Sequence, residues 1–295
     1  MTHPPISIGI PVYNGERYVA TAVAAFLEQT FGDFELIICD NASTDRTQEI
    51  ARALAATDPR VRYVRNQANI GSARNYRRVF ELARGKYFRW HAADDLAGPE
   101  VLARTYEVLE NEPEIVLAYP RTIFIDEHGH RLTTYDDRLQ TLHARPSARF
   151  IHVLENIGYC NAMYGLVRAN VLRKTRLLGA FIGSDVCFHA ELSLYGKFRE
   201  IPECLFFRRF HGEASSSKTG AQLQEFYHPG RRDRVYLREW RHFAENLRSV
   251  ARAPIGIAEQ ARAAVWLSRS AVRSRDRYLG EVKQAVRHLL SAQGA

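Results

Sequence analysis

Along the first 120 residues, short apolar runs alternate with stretches whose apolar residues recur at helical spacing. ISIGIPV (6–12), FELIICD (34–40), VRYVRN (61–66), KYFRW (86–90) and IVLAYP (115–120) read as strands, bounded by Pro, Asn, Asp or Gly. Between them, residues 16–28 carry Ala and Leu with helical periodicity. NASTDRTQEIARALAA (41–56) opens on cap residues, with Ser43 or Thr44 as N-cap, and continues as a helix. NIGSARN (69–75) is a glycine turn entering a helix that reaches about Ala83. Pro99 occupies a first helical position, and its helix extends to about Glu110. Strand–helix alternation of this kind dictates right-handed crossovers, so the expected fold is α/β, a mixed, mostly parallel sheet flanked by helices. Asn14, Asp40, Asp94 and Asp95 all fall just after strand ends. Ligands of open α/β sheets bind at the carboxyl ends of strands, so three strands aim acidic or amide groups at one edge.

Residues 121–220 are less regular. IDEHGHRL (125–132) reads as a hairpin with Gly129 at its turn. From 221 onward Gly and Pro thin out, and apolar and Arg residues recur at helical spacing with a break near APIG (253–256). This predicts a C-terminal extension of two or three basic amphipathic helices. No internal repeat or low-complexity segment is evident.

Composition narrows the class. The 295 residues are 46% hydrophobic and 25% charged, which excludes wholesale disorder, collagen and a membrane bundle. Of a net charge of +8, residues 221–295 carry +7, from 14 Arg/Lys against 7 Asp/Glu. A basic tail on a nearly neutral body points to an anionic partner, lipid head groups or nucleic acid, against a solvated helix face or an oligomer contact. Cys39, Cys160, Cys187 and Cys204 have no metal or redox spacing, and Cys39 sits in an apolar run as a small core residue. MTHPP runs straight into a strand without a secretion leader, and no stretch of about 18 apolar residues exists. The expected setting is cytoplasmic.

Four segments, ISIGIPVYNGERYV (6–19), QTFGDFELIICDNASTD (29–45), NIGSARN (69–75) and AADD (92–95), resemble glycosyltransferase family 2, whose members are inverting enzymes of the GT-A fold. GSDVCFHAELSLYGKFREIP (183–202) and RRFHGEASSS (208–217) add a weaker match. The resemblance implies a GT-A domain over 1–220, with a nucleotide-sugar half to about 120 and an acceptor-binding and catalytic half beyond. The tail from 221 lies outside it.

Residue by residue, the resemblance assigns Asp40 to the ring N–H of uracil or thymine; its other reading is a helix-start acid favoured by the dipole. Pro11 and Tyr13 would line the base, with Asn14 orienting their loop. Glu16 and Arg74 match positions near the nucleotide, and a cation at 74 suits a diphosphate or a base edge. Asp94, also a donor contact, and Asp95 would hold Mg²⁺ or Mn²⁺ together with phosphate oxygens, since such ions prefer hard oxygen ligands. The family pattern D-x-D-D is incomplete, with Ala92 in its first place. His211 matches a residue close to the diphosphate or metal, and Arg208 or Arg209 could clamp phosphate. Asp185 matches the general base, which must take the proton of the attacking hydroxyl; it follows Ser184 where the usual pair is Glu-Asp. Glu191 is the runner-up base. EASSS (213–217) reads as a loop closing over the donor, and Tyr159 and Tyr164 as sugar-stacking residues or core.

The reading is thus an inverting, metal-dependent transferase that takes a UDP- or dTDP-sugar to a hydroxyl of a glycan, glycolipid or small glycoside. Its alternative, favoured by Ala92, is a non-catalytic nucleotide-sugar-binding protein. Expected partners are the donor and a glycan or lipid-linked acceptor, with no nucleic acid. For the tail, peripheral contact with the anionic inner membrane leaflet competes with packing on the body or on a second subunit in a homo-oligomer.

Overall fold

A computed structural model describes residues 3–214, 217–227 and 237–292. Strands β1 (Ile6–Val12), β2 (Phe34–Asp40), β3 (Val61–Arg65) and β4 (Tyr87–Trp90) pair in parallel in the order β3-β2-β1-β4. Their crossovers are α1 (Val19–Leu27), α2 (Thr47–Thr57) and α3 (Ser72–Glu81). Every residue of β1 and β2 is buried, as continuous apolar runs covered on both faces should be.

The sheet then becomes mixed. Beyond β4 come β8 (Leu166–Arg168), β6 (Ile115–Ile125), β9 (Lys197–Arg209) and the two-residue β5 (Leu96–Ala97), while β7 (Arg131–Tyr135) pairs with β6. β4 meets β8 antiparallel, and β6 runs parallel to β9. The β6–β7 hairpin turns at Gly129, whose φ of +94° favours glycine. Remaining helices are α4 (Val101–Asn111), α5 (Pro146–Asn156), α6 (Ala169–Leu172), α7 (Ser184–Tyr195), α8 (Gly220–Tyr227), α9 (Arg238–Arg252), α10 (Ile257–Arg273) and α11 (Arg275–Ala292).

Strand alternation sends side chains to two cores. Leu36, Ile38 and Tyr87 pack with Val23 and Phe26 of α1 and Val101 of α4. Cys39, Phe88 and Trp90 pack on the other face with Phe80, Phe150, Phe188 and, from the C-terminal helices, Val250 and Leu267. Cys39 is therefore the core residue its sequence context predicts. α9 packs against α7, and α10 against α5.

The helix after β2 starts later than its cap residues predict. Residues 41–46 are a loop, α2 begins at Thr47, and neither Ser43 nor Thr44 caps it. Ala42 takes a left-handed φ of 63°, which a helix cannot continue, and the Ser43 hydroxyl accepts the Asn14 N–H at 2.9 Å. α1 is likewise shorter than predicted, because residues 15–18 form the turn that carries this cross-link. The break at 253–256 falls between α9 and α10 as the sequence predicts.

Candidate active site

Parallel register brings the ends of β1, β2 and β4 to one sheet edge, with Val12 opposite Asp40 and Gly9 opposite Trp90. The loops leaving that edge are cross-linked. Asn14, at φ 52°, accepts the Thr44 N–H on Oδ1 at 2.8 Å. Gly15 N–H donates to the Thr47 hydroxyl at 2.8 Å, and Glu16 N–H to Asp45 at 3.0 Å. The Glu16 carboxylate in turn accepts the Arg46 N–H at 2.9 Å, so here it serves the entry to α2. Asn41 Oδ1 accepts from Asn66 Nδ2 and from the Ile70 N–H, and Asn75 Nδ2 donates to the Cys39 carbonyl. The asparagines of NIGSARN thus stitch the start of α3 to the end of β2.

Asp40 is fully buried. Its Oδ1 accepts the Ser43 N–H at 2.8 Å; its Oδ2 accepts the Tyr63 hydroxyl at 2.7 Å and Arg65 Nη1 at 2.5 Å. Burial, then the neighbouring carboxylate, push the Tyr63 phenol up to about 12, so it remains a donor. Arg65 also donates to the Ser43 carbonyl at 2.9 Å and covers Asp40 from the solvent side. A base meeting this site faces Arg65 before it meets the carboxylate. Pro11 lies within β1, Tyr13 stands exposed on the first loop, and Arg74 is exposed on α3.

The two acids after β4 differ sharply. Asp94 is partly open, and its Oδ2 lies 2.8 Å from His211 Nε2, a contact bridging β4 and the end of β9. Asp95 is buried; its Oδ1 accepts the Arg209 N–H at 2.7 Å. Burial first, and then the charge of Asp94, raise its carboxyl well above the usual range. Arg209 is spent on structure: its guanidinium donates to the carbonyls of Asp94, Asp126 and Glu127 and lies over the Tyr18 ring. Among the described residues no cluster of three or more His, Cys, Asp or Glu could hold a metal by itself. Asp94 and His211 nonetheless make a carboxylate–imidazole pair that fits a divalent cation completed by phosphate oxygens.

Asp185 sits in the first turn of α7, entered through Gly183 at φ 78°. A side chain at 183 would collide with His242 of α9, whose Nε2 lies 2.9 Å from the Ile182 carbonyl. α9 therefore buttresses the loop that carries Asp185. The Cys160 thiol is pushed well up, first by burial and then by the Asp185 charge. The half-buried Tyr227 phenol at the end of α8 is raised by desolvation and by Asp185. Glu191, the other candidate base, is buried and accepts the Arg176 N–H at 3.2 Å, a structural role.

Sequence reasoning named Arg208, Tyr159 and Tyr164 but missed Asp137, which joins them through Asn161. Arg208 donates to the Tyr159 carbonyl and to Asn161 Oδ1, each at 2.7 Å, and lies over the Tyr159 ring. Tyr159 joins Phe124, Tyr135 and Phe210 in an aromatic cluster, while Tyr164 meets Tyr76 through their hydroxyls at 3.4 Å. Asp137, buried, accepts the Asn161 N–H at 3.2 Å, and burial lifts its carboxyl to about 7. Its position just after β7 was the available signal. Arg89 was also missed: it is buried in β4 with no hydrogen-bond partner, and burial lowers it to about 9. A charged residue inside KYFRW was its signal. Of the EASSS segment, Ser215 and Ser216 lie outside the described residues.

Comparison with known proteins places this arrangement. The profile described as "Glycosyl transferase family 2" matches residues 7–174. The chain is 31% identical over 137 residues to an uncharacterized glycosyltransferase of Methanocaldococcus jannaschii, covering 46% of this chain and 47% of that relative. It is 28% identical over 219 residues to the chondroitin synthase of Escherichia coli, covering 73% of this chain but 30% of the synthase. The match thus spans about half of the first relative and under a third of the second. Among solved structures, S. aureus TarS 1–349 in complex with UDP-GlcNAc aligns with a TM-score of 0.68 at 12% identity, over 96% of this chain and 81% of that one. The mannosyltransferase PcManGT of Pyrobaculum calidifontis, in complex with GDP-Man and Mn2+, aligns at 0.52 and 14% identity, over 98% and 88%.

Proposed function

The chain belongs to glycosyl transferase family 2 and has the GT-A fold, and on that premise we propose that it is an inverting hexosyltransferase acting on a nucleoside-diphosphate sugar. The observation that carries this reading is the Asp94–His211 pair at the strand edge, with a second carboxylate, Asp185, presented separately by α7. The acceptor is a hydroxyl of a glycan, a lipid-linked glycan or a small glycoside.

In the reaction the acceptor oxygen attacks the anomeric carbon while the bond from that carbon to the diphosphate breaks. Asp185 takes the acceptor proton, and the electron pair of the broken bond leaves with the nucleoside diphosphate. Mg²⁺ or Mn²⁺ held by Asp94 and His211, with Asp95 behind them, would supply charge neutralisation for the departing diphosphate. Tyr13 and Pro11 line the base side, and Arg74 offers a cation to the diphosphate. UDP and dTDP share the imide edge that would reach Asp40 once Arg65 moves aside, and the neighbours in complex with UDP-GlcNAc and GDP-Man support a nucleotide-sugar donor. Ala92 keeps a second reading in play, a protein that binds the nucleotide-sugar without turning it over. An acceptor tethered to lipid would bring the protein to the inner face of a membrane, and the basic C-terminal helices are proposed to meet it there.

Thermal unfolding with UDP, dTDP and GDP, each with and without Mn²⁺, tests the donor site. One diphosphate at about 100 times its Kd should stabilise the protein by about 2.7 kcal/mol, and only with the cation. No stabilisation by any of them would refute the donor reading. Release of the nucleoside diphosphate from its sugar upon adding acceptor separates the enzyme from the binding protein.

A further inference from the structure

The last two helices present an unpartnered face of one design. α10 buries Ala263 and Leu267 against the body. Its opposite face carries Val265 and, two turns on, Val272, which is 66% exposed. On α11, Leu279, Val282, Val286 and Leu290 recur three or four residues apart, so they form one exposed stripe. α11 meets α9 through a different face, where Tyr278 packs on Trp240 and Glu281 accepts the Glu239 N–H at 2.9 Å. In both helices a basic residue directly follows an apolar one: Val272–Arg273, Val282–Lys283 and Val286–Arg287. The basic edge therefore runs along the same flank of the stripe in each, and Arg269 extends it on α10.

We propose that this surface docks on an anionic lipid bilayer, the apolar stripe entering the boundary between head groups and acyl chains and the basic flank meeting acidic head groups. Charge selects this occupant. A second copy laid stripe to stripe would bring two tails of net positive charge together, which repels, whereas an anionic surface is complementary to them. Nucleic acid would satisfy the arginines but offers nothing to six exposed aliphatic side chains. The helices are not spans: among the described residues no helix is long and apolar enough to cross a membrane. A helix with an apolar stripe and a basic flank lies in the interface plane, its apolar face entering by about 5–10 Å. The inference rests on the membrane contact proposed above and names the residues that make it.

Sedimentation of the full chain with vesicles of phosphatidylcholine, with and without phosphatidylglycerol, tests it without donor or acceptor. Its failure would therefore leave the transferase reading standing. Wild type should bind the phosphatidylglycerol vesicles and lose that binding in high salt. Val272→Asp with Val286→Asp should weaken it at least about tenfold, with the circular dichroism spectrum and Tm unchanged, because both side chains already face solvent. Arg273→Gln with Arg287→Gln should weaken it roughly 30-fold, at about 1 kcal/mol for each basic side chain. Three results would each overturn the proposal: no binding to the anionic vesicles, equal binding to both vesicle types, or a concentration-dependent dimer that the Val272→Asp and Val286→Asp pair dissolves. Salt-sensitive binding to duplex DNA without vesicle binding would overturn it too.

Discussion

The two sides of the site are built on opposite plans. On the side proposed to hold the donor, the loops after β1, β2 and β3 satisfy nearly all their buried polar groups from within, with Asn66 Oδ1 the exception. Asp40 has three donors, Asn14 bridges to Thr44, and Asn41, Asn66, Asn69 and Asn75 bond one another. On the side proposed for the acceptor, Asp137 Oδ2, Asn161 Nδ2, Tyr119 Oη and Thr122 Oγ1 are buried without a hydrogen-bond partner. A satisfied buried network rigidifies, while a partly satisfied one costs stability. Substitutions on the donor side should therefore weaken the fold, whereas those on the acceptor side can abolish function and leave the fold intact or improve it.

The largest expected effect lies on the acceptor side. Asp185→Asn should lower the transfer rate by roughly 10²–10⁴-fold, the usual contribution of a general base. Nucleotide affinity should stay within about twofold, since the proposed base does not hold the donor. Single-turnover rates set beside donor titration would separate the two; a variant as fast as wild type removes Asp185 from the mechanism. Asp94→Ala comes next. Calorimetry should show Mn²⁺-dependent diphosphate binding weakened at least roughly tenfold, the lower end of the loss from disturbing a metal's supporting shell. Unchanged affinity would remove Asp94 from the cation site.

Arg65→Met probes the donor-side network directly. It leaves the Asp40 carboxylate buried without its counter-charge, so the variant should melt measurably lower than wild type, the loss limited by the partial exposure of Arg65. A Tm within a degree of wild type would show that the side chain is dispensable cover.

Asp137→Asn should show an effect of the opposite sign. The unfolded carboxyl ionises near 3.8, and burial holds the folded one up to about 7. Between those values the folded state keeps a proton that the unfolded state has lost, so wild-type stability falls as pH rises through the window and levels off above it. Asn carries no such proton. The variant should equal wild type near pH 4 and melt higher at pH 8, as scans across that range would reveal. Parallel pH profiles for the two proteins would mean that Asp137 does not titrate in the window.

Much of the first half was readable from the chain. Strands β1 and β2 have the bounds that ISIGIPV and FELIICD predict, because a strand buried on both faces is a continuous apolar run ended by a polar residue. The acids fell at strand ends for the same local reason. The second half was less readable: β8 is three residues long, β5 two, and no period can be seen in so few positions. The cap residues of NASTD misled for a related reason. Ser43 and Thr44 have the chemistry of helix caps, but Asn14, about 30 residues away, engages both.

Local pattern thus specified the order of elements, the parallel half of the sheet and the edge on which the acids stand. Access and charge state were settled elsewhere. Arg65 and Tyr63 seal Asp40 from β3, Arg209 from β9 pins Asp95, and burial beside Asn161 raises Asp137. Periodicity is a property of neighbours in the chain. Desolvation and hydrogen bonding depend on neighbours in space, which exist only once the strands have paired.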